Sequence, residues 1–177
     1  MTKRQLIVVD LETTSLDMET CSILEVAAVN VTTGEEFAFA PYISDEALHA
    51  ADPEALAVNR YYERRVFAEM VSSENTSRIR FQTLSGFLGR NTFAGSNPGF
   101  DSSILRRHPM ITGGWHHRLA DISPLTAGAL GLDPTDLPGL AKCCELLGVL
   151  NTEPHSALGD ARATADCFRA IAKLRKA

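Results

Sequence analysis

Hydrophobic and polar positions alternate with two different periods along this chain, and the change of period divides it. Residues 4–12 are rich in Leu, Ile and Val, residues 22–31 (SILEVAAVNV) are apolar on both faces, and residues 35–42 alternate around Phe37 and Phe39. Each of these reads as a strand, and Thr33-Gly34 between the last two is a hairpin turn signal. A strand apolar on both faces belongs inside a sheet covered on two sides. The three are expected as antiparallel neighbours.

Helical spacing follows. Asp52-Pro53 offers an N-cap and a proline at the first helical position, predicting a helix through Arg65. Residues 77–88 carry Ile79, Leu84, Phe87 and Leu88 at helical spacing. A short strand, TFAG at 92–95, leads into Ser96-Asn97-Pro98 and a brief helix bearing Asp101, Ile104 and Leu105. Residues 117–122 suggest another strand. Asp136 can cap a helix with Leu137, Leu140, Ala141 and Cys144 on one side, ended by Gly148. Residues 158–175 form the last helix, with Ala161, Ala165, Phe168 and Ala172 facing inward. Strands and helices interleave, which argues for an α/β fold. No repeat, low-complexity tract or linker breaks the chain, and 177 residues suit one domain, 1–177.

Two positions disturb this pattern. Asp10 and Glu12 lie in VVDLETT (8–14), which otherwise reads as a buried strand. Two residues apart, they share a face of the strand, lose hydration there and repel each other. A bound divalent cation removes both penalties, so the pair is a metal-site candidate. Taken alone, Asp-x-Glu is more often a solvated strand end.

Composition narrows the partners. The net charge of −5 gives no global basic field for nucleic acid, although cations held by the acids would offset part of it. Basic residues bunch at Arg60, Arg64 and Arg65, at Arg78 and Arg80, and at Arg106 and Arg107, each cluster reading first as solvated surface. Cys21, Cys143, Cys144 and Cys167 form no Cys-x-x-Cys pair; reduced thiols in a cytoplasmic protein are the simpler reading. Asp10 interrupts the first apolar run too early for a signal peptide, and no stretch is long enough to span a membrane.

Three blocks in order sharpen the metal-site reading: VVDLETTSL (8–16), GSNPGFDSSIL (95–105) and HSALGDARATAD (155–166). They resemble the three exonuclease motifs of the DEDDh 3′–5′ exonucleases, across nearly the whole chain. The third is the most specific, because His155 precedes Asp160 by five residues, the family's histidine spacing. The resemblance implies a ribonuclease H-like fold with a mixed five-stranded sheet flanked by helices. It implies hydrolysis at the 3′ end of single-stranded nucleic acid, DNA or RNA, releasing nucleoside 5′-monophosphates. It further implies two Mg²⁺ or Mn²⁺ ions, with Asp10 bridging both, Glu12 and Asp160 completing the first site, and Asp101 supporting the second. His155 would be the general base. Carboxylates and water suit Mg²⁺, and an imidazole can take a proton near neutral pH.

More loosely, Thr13 resembles the residue whose backbone meets the terminal nucleotide. Leu16 resembles an apolar wedge beside the last base, and a core leucine fits it equally. Asn97 matches an asparagine of the second motif, and it would also serve as a helix N-cap before Pro98. Ser96 departs from the histidine that family members often carry there. Homodimers are frequent in the family, and a polymerase partner is conceivable though unindicated.

Several other residues read as structural. Asp166 falls on a different helix face from Asp160, His116 and His117 are neighbours on the proposed strand and cannot share one metal, and Glu25 suits a structural hydrogen bond. Asp121 in RLADISPL resembles a family position after the fifth strand that is usually structural. A phosphatase with Asp10 as nucleophile would want aspartate where Glu12 stands, and no Gly-x-x-x-x-Gly-Lys loop occurs. The remaining alternative is a non-catalytic nucleic-acid-binding or scaffolding module on the same fold; all four acids and His155 being present speaks against it.

Overall fold

The structure is a computed structural model describing residues 3–112 and 114–174. Five strands form one mixed sheet: β1 (Leu6–Thr13), β2 (Ile23–Asn30), β3 (Glu36–Phe39), β4 (Thr92–Gly95) and β5 (Ala120–Asp121), in the order β3-β2-β1-β4-β5. The first three pair antiparallel as the alternation predicts, while β4 and β5 add on parallel to β1. The hairpin between β2 and β3 closes with Gly34 at φ +76° and its N–H donating to the Asn30 carbonyl. Thr33-Gly34 thus does what its composition announces.

Strand periodicity sorts β1 between two cores. Ile7, Val9 and Leu11 face Phe81, Leu84 and Leu88 of α4 (Glu74–Leu88) and Ile104 and Leu105 of α5 (Pro98–Arg107). Val8 faces the other way, packing with Ala161, Ala165, Phe168 and Ile171 of α8 (Ala157–Leu174). Phe93 and Leu88 are each 0% exposed; full burial of such a side chain contributes about 1.5–3 kcal/mol. Asp10 and Glu12 continue the Val8 face, so the strand's own pleat aims both at α8. Arg162 then fixes that helix over the sheet, its Nε and Nη2 donating to the two Glu36 carboxylate oxygens at 2.9 and 2.7 Å.

Elsewhere the structure corrects the periodic reading. The helix predicted from Pro53 through Arg65 stops early, as α2 (Pro53–Val58), with α1 (Asp45–His49) before it and α3 (Val66–Glu69) starting only beyond Arg65. Arg60 and Arg65 take left-handed backbone, φ 54° and 57°, which breaks the helix without a glycine to announce it. α6 (Ile122–Leu130) follows a fifth strand of only two residues, so His116 and His117 lie on no strand. α7 (Leu140–Leu147) starts at Gly139 rather than at an Asp136 cap, although Gly148 ends it in left-handed conformation as expected. Ile79 and Ala172 are exposed, and Phe81 and Ile171 fill the core instead. Residue 175, the predicted end of the last helix, lies outside the described residues.

Candidate metal centre

The site forms where β1 outruns its neighbour. Pairing with β4 reaches only Val8↔Ala94, so the Leu11 N–H has no strand partner on that side. Asp101 Oδ1 accepts it at 2.9 Å. That bond draws the first turn of α5 against the end of β1 and leaves the rest of the carboxylate, 5% exposed overall, beside Asp10. Asn97 starts this helix in left-handed conformation (φ 57°) and makes no side-chain cap bond, so the N-cap role expected of it is not observed.

From the opposite layer comes Asp160, in the first turn of α8. Carboxylate oxygens of Asp10, Glu12 and Asp160 lie within 4.8 Å of one another, all three residues half-buried. Both Asp160 oxygens are steered: Asn151 Nδ2 donates to Oδ1 at 2.6 Å and the His155 N–H to Oδ2 at 3.2 Å. His155 itself is exposed, on the loop ahead of α8, with a left-handed backbone (φ 59°). Ser156 Oγ accepts from the Gly159 N–H at 3.1 Å and thereby caps α8.

Electrostatically the cluster is under tension. Burial first, and then the charges of Asp101, Glu12 and Asp160, push the Asp10 carboxyl well above its ordinary range. Glu12 rises to about 8 through burial, Glu25 and Asp160, with Arg64 pulling the other way. Burial lifts Asp101 to about 7 against its two backbone hydrogen bonds, and it raises Asp160 against the bonds from Asn151 and His155. Converging hard oxygen donors that repel in the absence of a cation are the donor set Mg²⁺ or Mn²⁺ takes; the residues fit such an ion.

A pH dependence follows with a definite sign. Each acid holds its proton more tightly folded than unfolded, where carboxyls titrate near about 4. Between the unfolded and folded values the native state binds more protons, so stability falls as pH rises. Urea midpoints in chelator should therefore drop from about pH 5 to about pH 8, and saturating Mg²⁺ should flatten the slope. A midpoint that rises with pH in chelator would contradict the crowding.

Gly159 is the tightest point of the loop. A Cβ there would lie 2.1 Å from the Glu153 carbonyl oxygen and 2.7 Å from its Cβ. Gly159→Ala must push the 151–155 loop away, carrying Asn151 and His155 off Asp160. The expected result is a loss of about 10²-fold in turnover with a lower melting temperature, checked by assay and thermal melt.

The other expected residues sort clearly. Thr13 is buried, its Oγ1 donating to the Ser15 carbonyl at 2.8 Å. Leu16 is 84% exposed, which excludes the core reading. Asp121 caps α6 by accepting from the Ser123 N–H, and Asp166 pairs with Arg169 at the surface. Sequence reasoning missed Asn151, which no motif flags, and set Arg64 aside as solvated surface. Arg64 instead meets Glu25 at 2.5 Å with its side chain only 21% exposed. Of the other clustered arginines, Arg60 pairs with Glu63, Arg107 with Glu19, Arg106 covers the Trp115 ring and Arg80 lies over the Phe37 ring. A groove of about 870 Å³ runs past Met18, Tyr42, Phe81 and Met110, and none of the four acids lines it.

Comparison with known proteins identifies the family and the fold. The family model for exonucleases of the RNase_T type matches residues 7–168. A DNA polymerase III of PolC type from Thermotoga petrophila is 27% identical over 173 residues, covering 96% of this chain and 12% of that protein. Escherichia coli exonuclease I, in a zinc-bound complex with single-stranded DNA, superposes with a TM-score of 0.74 at 18% identity, covering 99% of this chain and 41% of that one. The same enzyme with a dT13 oligonucleotide gives 0.72 at 18% identity over 98% and 42%. At such identity the likeness speaks for the fold, and this chain spans less than half of either relative. The sheet is the one that a ribonuclease H-like fold requires, and with the family model extending from β1 into α8, the chain belongs to the exonuclease family of DnaQ-like, DEDDh type.

Proposed function

We propose that residues 1–177 form a single exonuclease domain that removes nucleotides from the 3′ end of single-stranded nucleic acid, using two Mg²⁺ or Mn²⁺ ions. The observation that carries this reading is the convergence of Asp10, Glu12 and Asp160 within 4.8 Å, on elements from both layers, with Asp101 fastened alongside. Asp10, Glu12 and Asp160 would hold one ion, and Asp10 with Asp101 the second. When bound, such ions neutralise the carboxylates and stabilise the charge on the attacking and leaving oxygens of a phosphodiester.

The chain's own groups do the rest. His155 takes the proton from the attacking water, whose oxygen bonds to phosphorus as the bond to the 3′ oxygen breaks. A nucleoside 5′-monophosphate leaves, and the departing 3′ oxygen takes a proton from solvent to become the strand's new 3′ hydroxyl. The Thr13 backbone and Asn97 would meet the terminal nucleotide, and Leu16, exposed shortly after Thr13 in sequence, would offer an apolar edge to its base. Exonuclease I bound to single strands supports that substrate class, and the PolC-type relative supports association with a polymerase; a homodimer is the other assembly consistent with the family. Among the described residues no helix is long and apolar enough to cross a membrane. The four cysteines are unbonded, which accords with a reducing, cytoplasmic setting.

The test uses 5′-labelled linear strands and internally labelled circular single strands of DNA and of RNA, with Mg²⁺ or Mn²⁺. Linear strands should shorten stepwise from the 3′ end and circles should persist. Equal cleavage of circles would make the protein an endonuclease. Ca²⁺ should support little turnover, because its looser and longer coordination misplaces the reacting oxygens.

A further inference from the structure

We infer that Arg64, anchored on Glu25, is a positioning residue for His155, holding the main chain of the general base against the acid cluster; this rests on the proposed role of His155. Arg64 occupies the turn between α2 and α3, flanked by the left-handed residues Arg60 and Arg65. Tyr61, 2% exposed, fastens the turn into the core beside Leu24, Ile43 and Val66. Non-glycine residues adopt that backbone at a cost, and such strain persists where the surroundings enforce it. Here it delivers one guanidinium to three acceptors.

Arg64 Nη1 donates to the carbonyls of Asn59 and His155, both at 2.7 Å, and Nη2 donates to Glu25 Oε1 at 2.5 Å. Glu25 faces Glu12 directly across the β1–β2 pair. Its second oxygen, Oε2, is buried and has no hydrogen-bond partner. A carboxylate in that position, beside the acid cluster, is costly unless it holds a cation in place. Arg64 is that cation, and its remaining reach goes to the loop that bears the base.

The consequence is visible at His155 itself. Its N–H is held by Asp160 Oδ2 and its carbonyl by Arg64, so both ends of one left-handed residue are tied. The exposed ring is the part left to move. Without the guanidinium, the 151–156 segment keeps its bonds to Asp160 but loses its attachment to β2. Lysine cannot substitute, because a single ammonium lacks the planar fork that serves a carboxylate and two carbonyls together.

The test is a double-mutant cycle read as kcat and KM on a single-stranded oligonucleotide, with Arg64→Lys and His155→Ala made singly and together. Arg64→Lys should lower kcat about 10–100-fold with KM nearly unchanged, the scale of a misplaced catalytic group. In the His155→Ala background the same change should cost less than about 3-fold, because the group it positions is gone. Equal losses in both backgrounds would overturn the inference, as would a change confined to KM or an unaltered kcat. Should Arg64→Lys not fold, Glu25→Gln loosens the same anchor while keeping the acceptor's shape. It should lower kcat about 3–10-fold, again only when His155 is present. If His155→Ala alone retains wild-type turnover, the general-base reading falls first and this inference with it; if His155→Ala is impaired and the losses add, only the positioning role is wrong.

Discussion

Asp10→Asn is expected to leave the protein folded and inactive. Asparagine keeps the shape of the side chain and removes the charge, and Asp10 is the acid on which the other three press. Loss of a central electrostatic group should cost at least about 10³-fold in turnover. The metal-free protein should be unchanged or slightly more stable, because one member of a repelling cluster has been neutralised. The Mg²⁺-dependent rise in melting temperature expected of the unaltered chain should disappear, since binding to the native state is what produces it. Thermal melts with and without Mg²⁺ separate these outcomes. A marked loss of metal-free stability would make Asp10 a structural residue.

His155→Ala should act differently. It lies outside the carboxylate set, on an exposed loop, so metal-dependent stabilisation and substrate affinity should change little. Turnover should fall about 10²–10⁴-fold, the range for a lost general base. The pH–rate profile of the variant should differ in shape from that of the unaltered chain. Near-full turnover with an unchanged pH profile would mean that another group takes the proton.

Asp10 is legible in the sequence because a pair of acids on an apolar strand conflicts with its local pattern. His155 stands out only through resemblance, its spacing from Asp160 matching the third exonuclease motif. Also legible are β1 and β2 from apolar runs of strand length, β3 from its alternation, and Gly34 and Gly148, whose left-handed turns glycine announces. What stayed hidden depends on tertiary contacts. Arg60 and Arg65 break a helix whose composition favours continuing, and only the buried Tyr61 between them explains why. α6 carries Pro124 and Gly128, which mask a helix that tolerates proline in its first turn and is capped by Asp121. Arg64 and Glu25 are distant in sequence and ordinary in type, and they acquire meaning only where the turn after α2 meets β2. Asn151 likewise matters solely because α8 brings Asp160 under it.

The most direct measurement of the central claim is anomalous diffraction from crystals grown with Mn²⁺ and a nucleoside 5′-monophosphate. The account predicts two manganese peaks sharing Asp10, one against Glu12 and Asp160 and the other on the Asp101 side, with the phosphate between them and the His155 ring turned toward it. Full occupancy of the nucleotide with no manganese at these carboxylates would contradict it.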